Sequence, residues 1–307
     1  MQILKSIKLI MVTAFFLFVI SLNTYAGSWR QDGNGWWYQN SDGSYPRNAW
    51  QWIDANDDHI AYCYYFNNDG YCLLNQKTPD GYRVSSSGEW IIADVGLPET
   101  KIVNTSGVNL DVLPYMASCI RSGFNTDQYL FNYKNVNIDF NKESCNPRKQ
   151  VAILSRILHY ADAHKYFTEF TNKYYKIINS LGECRYILDK EEYAKAFEDL
   201  FGIYDIEEAW SIEVKDKKER ADAGYYQGDS SKIAVGVGDY GDETPFFMAE
   251  RVIIEGNRYT VKGRCGSYIN NGDSNEFSSA SYTIVAEENP DSDFGHLTIR
   301  SIKINND

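Results

Sequence analysis

Six of the chain's seven tryptophans, at positions 29, 36, 37, 50, 52 and 90, fall within residues 27–96, and only Trp210 lies beyond them. Indole rings are the largest apolar groups a small β module can use, so this skew divides the chain into two regions of different construction. Within the first region the rings recur ahead of glycine turns. Trp36-Trp37-Tyr38 leads to Gly43, Cys63-Tyr64-Tyr65-Phe66 leads to Gly70, and Gly81-Tyr82-Arg83-Val84 leads to Gly88. An aromatic residue stands six positions before each glycine: Trp37, Tyr64 and Tyr82. Each unit reads as half a β-hairpin with its turn, because glycine supplies the positive φ such turns demand. Strand alternation places Trp50 with Trp52, Trp36 with Tyr38, and Tyr64 with Phe66 on shared faces. The intervals between glycines, 27 and 18 residues, are unequal.

The run Gly35-Trp36-Trp37-Tyr38, Asp42-Gly43, Asn48-Ala49-Trp50, Tyr64-Tyr65-Phe66 and Gly70-Tyr71 resembles the choline-binding, or cell-wall-binding, repeats of Gram-positive surface proteins. The resemblance covers about residues 29–92. It departs from the pattern where Cys63 and Gly81 replace the first ring and where Arg83 replaces a tyrosine. It implies a solenoid of short hairpins, with ligand sites between successive hairpins that hold the choline of teichoic acid or a related wall glycopolymer. Trp37, Tyr38, Trp50, Trp52, Tyr64 and Tyr65 are the implied ligand-binding residues. A quaternary ammonium cannot be hydrogen-bonded and is held by ring faces, at roughly 0.5 to 2 kcal/mol per contact. Nine acidic residues against four basic ones in residues 27–96 add an attraction for cations. The same rings would also serve as the core of a small β module, or as a platform for a carbohydrate.

Lys5 and Lys8 precede an apolar run from Leu9 to Leu22 that closes on Thr24-Tyr25-Ala26. Residues 1–26 therefore read as a signal peptide, with no further stretch able to insert in a membrane once it is removed. A net charge of −12 excludes electrostatic docking on nucleic acid. Export makes the six cysteines candidates for disulfides. Cys63 and Cys72 flank the turn Asn67-Asn68-Asp69-Gly70, and a two-residue turn at Asn67-Asn68 would set them opposite one another as a linked pair. Cys119, Cys145, Cys184 and Cys265 allow three pairings that spacing does not decide. No metal is expected, since no paired Cys/His spacing occurs, and Asp54 to His59 is a solvated acidic turn in which His59 replaces the glycine of a calcium loop.

The expected organisation is a signal peptide at 1–26, a mainly β module of aromatic hairpin repeats at 27–96, a linker at 97–111, and an α+β domain at 112–307 whose helices precede an antiparallel sheet. Helical periodicity runs from Pro147 to Ile178 with a break near His164. A second helix starts after an Asp189 N-cap and stops at Gly202. Beyond Ser230 the period changes to two, giving strands at 232–237, 246–254, 258–264, 280–286 and 296–304, with a tight turn at Glu255-Gly256-Asn257. No catalytic motif and no cofactor signature are present. The leading expectation is an exported surface protein attached non-covalently to the cell wall, which displays a C-terminal interaction or sensing domain. A wall-targeted hydrolase of unrecognised type and a soluble carbohydrate-binding protein are the alternatives.

Overall fold

The computed structural model describes residues 27–92, 96–105, 107–121, 135–140, 147–160, 163–177, 184–202, 206–219, 231–236, 243–270 and 275–306. The expected signal peptide and Cys145 lie outside the described residues, as does the side chain of Cys184.

The first region contains β1 (Ser28–Asp32), β2 (Gly35–Gln39), β3 (Ala49–Ile53), β4 (Ile60–Phe66), β5 (Arg83–Val84), β6 (Trp90–Ile91) and β7 (Thr100–Ile102). β1 pairs with β2, and β5 with β6, while β3, β4 and β7 form one sheet in the order β3-β4-β7. The turns are the repeating part. Gly43, Gly70, Gly81 and Gly88 each donate an N–H to the carbonyl three residues earlier, on Asn40, Asn67, Thr78 and Ser85, at 2.9 to 3.1 Å. All four glycines have φ between 83° and 97°, where a side chain is strained. At Gly70 a Cβ would also lie 2.7 Å from the Tyr45 ring, so this turn is closed against the first hairpin.

The strands correct the expectation of a solenoid. They pair as separate open sheets, none closed or curled, and the units differ too much to stack as equal coils. β4 has seven residues, β5 and β6 have two each, and the free edge of β4 is taken by β7. β7 comes from the stretch expected as a linker, where Val108 and Leu110 are also buried.

The second region is α+β. It comprises α1 (Val112–Arg121), β8 (Asn135–Asp139), α2 (Pro147–His159), α3 (Ala163–Tyr166), α4 (Thr168–Tyr174), β9 (Tyr175–Ile177), β10 (Cys184–Asp189), α5 (Lys190–Phe201), α6 (Ile206–Glu219) and β11 (Lys232–Gly236). Four long strands complete it: β12 (Glu243–Glu255), β13 (Arg258–Asn270), β14 (Asn275–Glu288) and β15 (Leu297–Asn306). Antiparallel pairing gives a five-stranded sheet, β12-β13-β14-β15-β8, and a three-stranded sheet, β11-β10-β9. α1 lies on β12, β13 and β14 with every residue buried except Arg121, and α5 bridges β15 and β10. The helices thus fill the space between the two sheets.

Local signals explain these elements. Asp189 caps α5 in a capping box with Glu192, each side chain accepting the other's backbone N–H, and the helix ends at Gly202 with φ 73°. Gly256 at φ 65° makes the tight turn between β12 and β13, with Glu255 opposite Arg258. The helical stretch expected from Pro147 is broken into α2, α3 and α4 around His164. The large core includes Ile60 of β4 and Ile102 of β7, so the first region is packed on the second, and Tyr62 touches both cores. No helix among the described residues is long and apolar enough to cross a membrane.

Candidate functional site

Strand alternation sorts the rings of the first region into distinct environments. On one face of β4, Tyr64 and Phe66 join Tyr38, Ile53 and Cys72 in a small core. Trp29 covers it, with ring centroids 5.3 Å from Tyr38, 4.8 Å from Tyr64 and 5.8 Å from Phe66. Burial pushes the Tyr64 hydroxyl well above its usual range, and raises Tyr38, which also feels Asp54 and Asp57. Tyr38 and Tyr64, two of the implied ligand residues, therefore hold the core.

The opposite face carries Trp50, whose backbone register places it across from Tyr65. Their rings meet at 5.2 Å, and Tyr65 donates to Asn48 Oδ1 at 2.7 Å. Two further rings complete a group that the sequence did not assemble. Trp50 lies 6.0 Å from Tyr82 and 5.9 Å from Trp90, and Tyr82 lies 5.4 Å from Trp90. The three planes are inclined at 81°, 53° and 73°, like the walls of a corner. Tyr82 is 50% exposed, so the corner is open to solvent. The three centroids form a triangle with sides of 5.4 to 6.0 Å.

Asp80 anchors one wall. Trp50 Nε1 donates to its carboxylate at 2.8 Å, and Thr78 Oγ1 donates at 2.5 Å. The Thr78 and Trp50 hydrogen bonds hold the Asp80 carboxyl below its ordinary range, so it stays anionic beside the rings. Tyr82 follows the turn glycine Gly81, and Trp90 lies two residues past Gly88. Both positions are visible in the sequence once four turns, and not three, are recognised.

The other implied residues lie elsewhere. Trp37 meets Tyr45 at 5.9 Å, and the Arg47 guanidinium sits 4.5 Å over the Tyr45 ring. Trp52 shares a face with Trp50 but stands at 36% exposure between two clefts. One, of about 480 Å³, is lined in part by Asp42, Asp54 and Asp57; the other, of about 280 Å³, lies at the junction of the two regions. The Asp54 to His59 turn is held by its own hydrogen bonds, with the Asp54 carboxylate accepting from the His59 N–H at 3.0 Å.

The expected two-residue turn at Asn67-Asn68 is corrected. Asn67 donates to the Tyr71 carbonyl, so the turn spans five residues, from Asn67 to Tyr71, and Cys72 falls opposite Phe66. Cys63 pairs across from Trp52, on the other face from Cys72, and both thiols are free and buried. Burial pushes each of them up to about 12.

No family model matches the chain, nor does any curated protein. Among solved structures, two crystal structures of the modular Cpl-1 endolysin complexed with a peptidoglycan analogue, one mutant and one wild-type, are each 30% identical to this chain. Each match covers 28% of this chain and 25% of the endolysin, with a TM-score of 0.19. The multimodular pneumococcal cell wall endolysin from phage Cp-1, complexed with choline, is 21% identical over 27% of this chain and 33% of its own, with a TM-score of 0.11. The chain thus spans a quarter to a third of the length of the endolysins it matches.

Proposed function

We propose that the first region binds cationic groups of a cell-wall polymer, choline foremost, in the corner formed by Trp50, Tyr82 and Trp90, and so holds an exported protein on the wall. The corner itself carries this reading: three inclined rings, one of them half exposed, stand beside an ionised Asp80. A trimethylammonium is bulky, weakly hydrated and positive, and an aromatic corner backed by a carboxylate matches each property. The protein's net charge of −12 also favours a cationic ligand.

The test is retention of the full chain on a choline matrix. Tyr82→Ala and Trp90→Ala should each weaken retention by about 1 to 2 kcal/mol, roughly five- to thirtyfold, with the melting point close to that of the parent. Trp210→Ala in the second region should leave retention unchanged. If folded Tyr82→Ala and Trp90→Ala proteins bind as the parent does, the corner is structural packing alone.

A wall-directed hydrolase is the second reading. It is favoured by Glu99 and Asp111, two half-buried carboxylates that line the junction cleft together. Zymography of the full chain on cell-wall substrate tests it, and a clearing zone lost in Glu99→Gln would establish it.

A further inference from the structure

The junction cleft combines features that the choline corner does not use. It has a volume of about 280 Å³, just below the roughly 300 Å³ at which pockets for drug-sized ligands begin, and so suits a single small polar ring. Trp52 of the first region and Tyr166 and Phe247 of the second contribute rings, while Glu99, Asp111 and Lys165 contribute charge.

The rings have different roles. Tyr166 is stacked on Tyr115 at 4.5 Å, packed against Phe247 at 5.7 Å, and has Lys165 Nζ 5.1 Å from its centroid. It is a fixed wall. Trp52 touches no other ring among the described residues and is 36% exposed at the mouth, which leaves an indole for a ligand to lie on.

The polar groups are arranged for neutral hydrogen-bonding partners. One oxygen of Asp111 is committed to the Ile102 N–H at 2.7 Å, whereas the Glu99 side chain has no hydrogen bond among the described residues and its oxygens remain available as acceptors. Lys165 acts on both carboxylates and Lys101 on Asp111, so two positive charges offset two negative ones. A charge-balanced cleft does not select a cation, which separates it from the corner around Trp50. A saccharide meets all of these conditions: its hydroxyls donate to carboxylates, its C–H face stacks on an indole, and it carries no charge.

We infer that the junction cleft binds one sugar unit of a glycan, with Trp52 as the stacking platform and Glu99 as the hydroxyl acceptor. The sugar is an N-acetylated one, since Phe247, with Ala249 and Pro114, offers an apolar wall for an acetamido methyl. The site deepens the wall-attachment reading by adding the glycan strand to the polymer's cationic groups, yet it uses none of the corner's side chains; the two are joined only through the backbone, where the Glu99 N–H donates to the Trp90 carbonyl at 3.0 Å.

The experiment is calorimetric titration of the full chain with a β-1,4-linked N-acetylglucosamine tetramer, with tryptophan fluorescence as a second readout. Saturable binding is expected, weakened about tenfold or more by Glu99→Gln, which preserves shape, and by Trp52→Ala. Tyr82→Ala should leave this binding intact while weakening choline retention roughly five- to thirtyfold, so the two sites fail separately. Binding equal to the parent's in folded Glu99→Gln and Trp52→Ala proteins overturns the assignment. So does the absence of saturable binding by the parent, or its loss in Tyr82→Ala alone.

Discussion

Trp29→Ala separates rings that hold the first region together from rings that meet a ligand. Trp29 contacts Tyr38, Tyr64 and Phe66 at 4.8 to 5.8 Å, and each aromatic pair contributes roughly 0.5 to 1.5 kcal/mol beyond its area. Three such contacts sum to about 1.5 to 4.5 kcal/mol, which overlaps the roughly 3 to 5 kcal/mol of a buried Trp→Ala change. Trp29 is only half-buried, so about 3 kcal/mol is the expected loss. For a region of this size that corresponds to a fall of about 12 to 24 °C in melting temperature. Urea titration of the full chain, followed by near-ultraviolet circular dichroism, measures the loss through the shift of the unfolding midpoint. Choline retention should vanish at temperatures where the variant is unfolded and return on cooling. A loss below about 1 kcal/mol would refute the assignment of Trp29, Tyr38 and Tyr64 to the core.

Gly43→Ala should cost about 1 to 2 kcal/mol from its positive φ alone, because a Cβ there meets nothing, whereas Gly70→Ala should cost more by displacing Tyr45; thermal melts of the pair show the order. Cys63 and Cys72, as buried thiols raised to about 12, should resist iodoacetamide at pH 8 in the native protein and both label in denaturant, and a peptide map showing them linked would contradict the register. Burial raises Glu99, Asp111 and Asp199 above their unfolded values, so the stability they contribute is complete below the ordinary carboxylate range and is lost as pH rises through their folded values. Melting temperature should therefore fall from mildly acidic towards neutral pH, and Glu99→Gln should flatten that slope.

Local chemistry was legible in the sequence wherever one residue type decides the backbone. The glycine turns, the Asp189 cap and the Gly256 hairpin follow from φ and from orphan N–H groups, and they stand where their residues place them. Alternation likewise put Tyr64 with Phe66, and both meet Trp29. What alternation cannot supply is which face is the core. Trp50 and Tyr64 are equally aromatic, and only the covering hairpin sends Tyr64 inward and leaves Trp50 to Tyr82 and Trp90. The register at Cys72 depends on whether Asn67-Asn68-Asp69-Gly70 closes as two residues or as a full turn, and the Asn67 side chain decides this by accepting the Asp69 and Tyr71 N–H groups. β7 was hidden because three residues, Thr100 to Ile102, carry no periodicity.

That short strand ties the two regions and makes the cleft depend on both. β12 skips Glu250 in its ladder with β13, between Ala249 and Arg251, and at this bulge the buried Ala249 N–H donates instead to Thr100 Oγ1 at 2.9 Å. Thr100→Val keeps the shape and removes the acceptor, leaving a buried donor unsatisfied at a cost of about 1 to 3 kcal/mol. Thr100 also lines the cleft, between Glu99 on the same stretch and Ala249 across from it. Its loss should therefore loosen the wall that sets Glu99 against Phe247. The corner at Trp50, Tyr82 and Trp90 makes no use of this bond. Thr100→Val should accordingly lower the melting point and weaken the N-acetylglucosamine tetramer severalfold, while choline retention stays at the parent's level. If both ligands weaken together in the folded variant, the two sites share one support and the separation drawn between them is wrong. If neither weakens and stability is unchanged, the Thr100 bond contributes nothing, and β7 is held by Ile102 in the core alone.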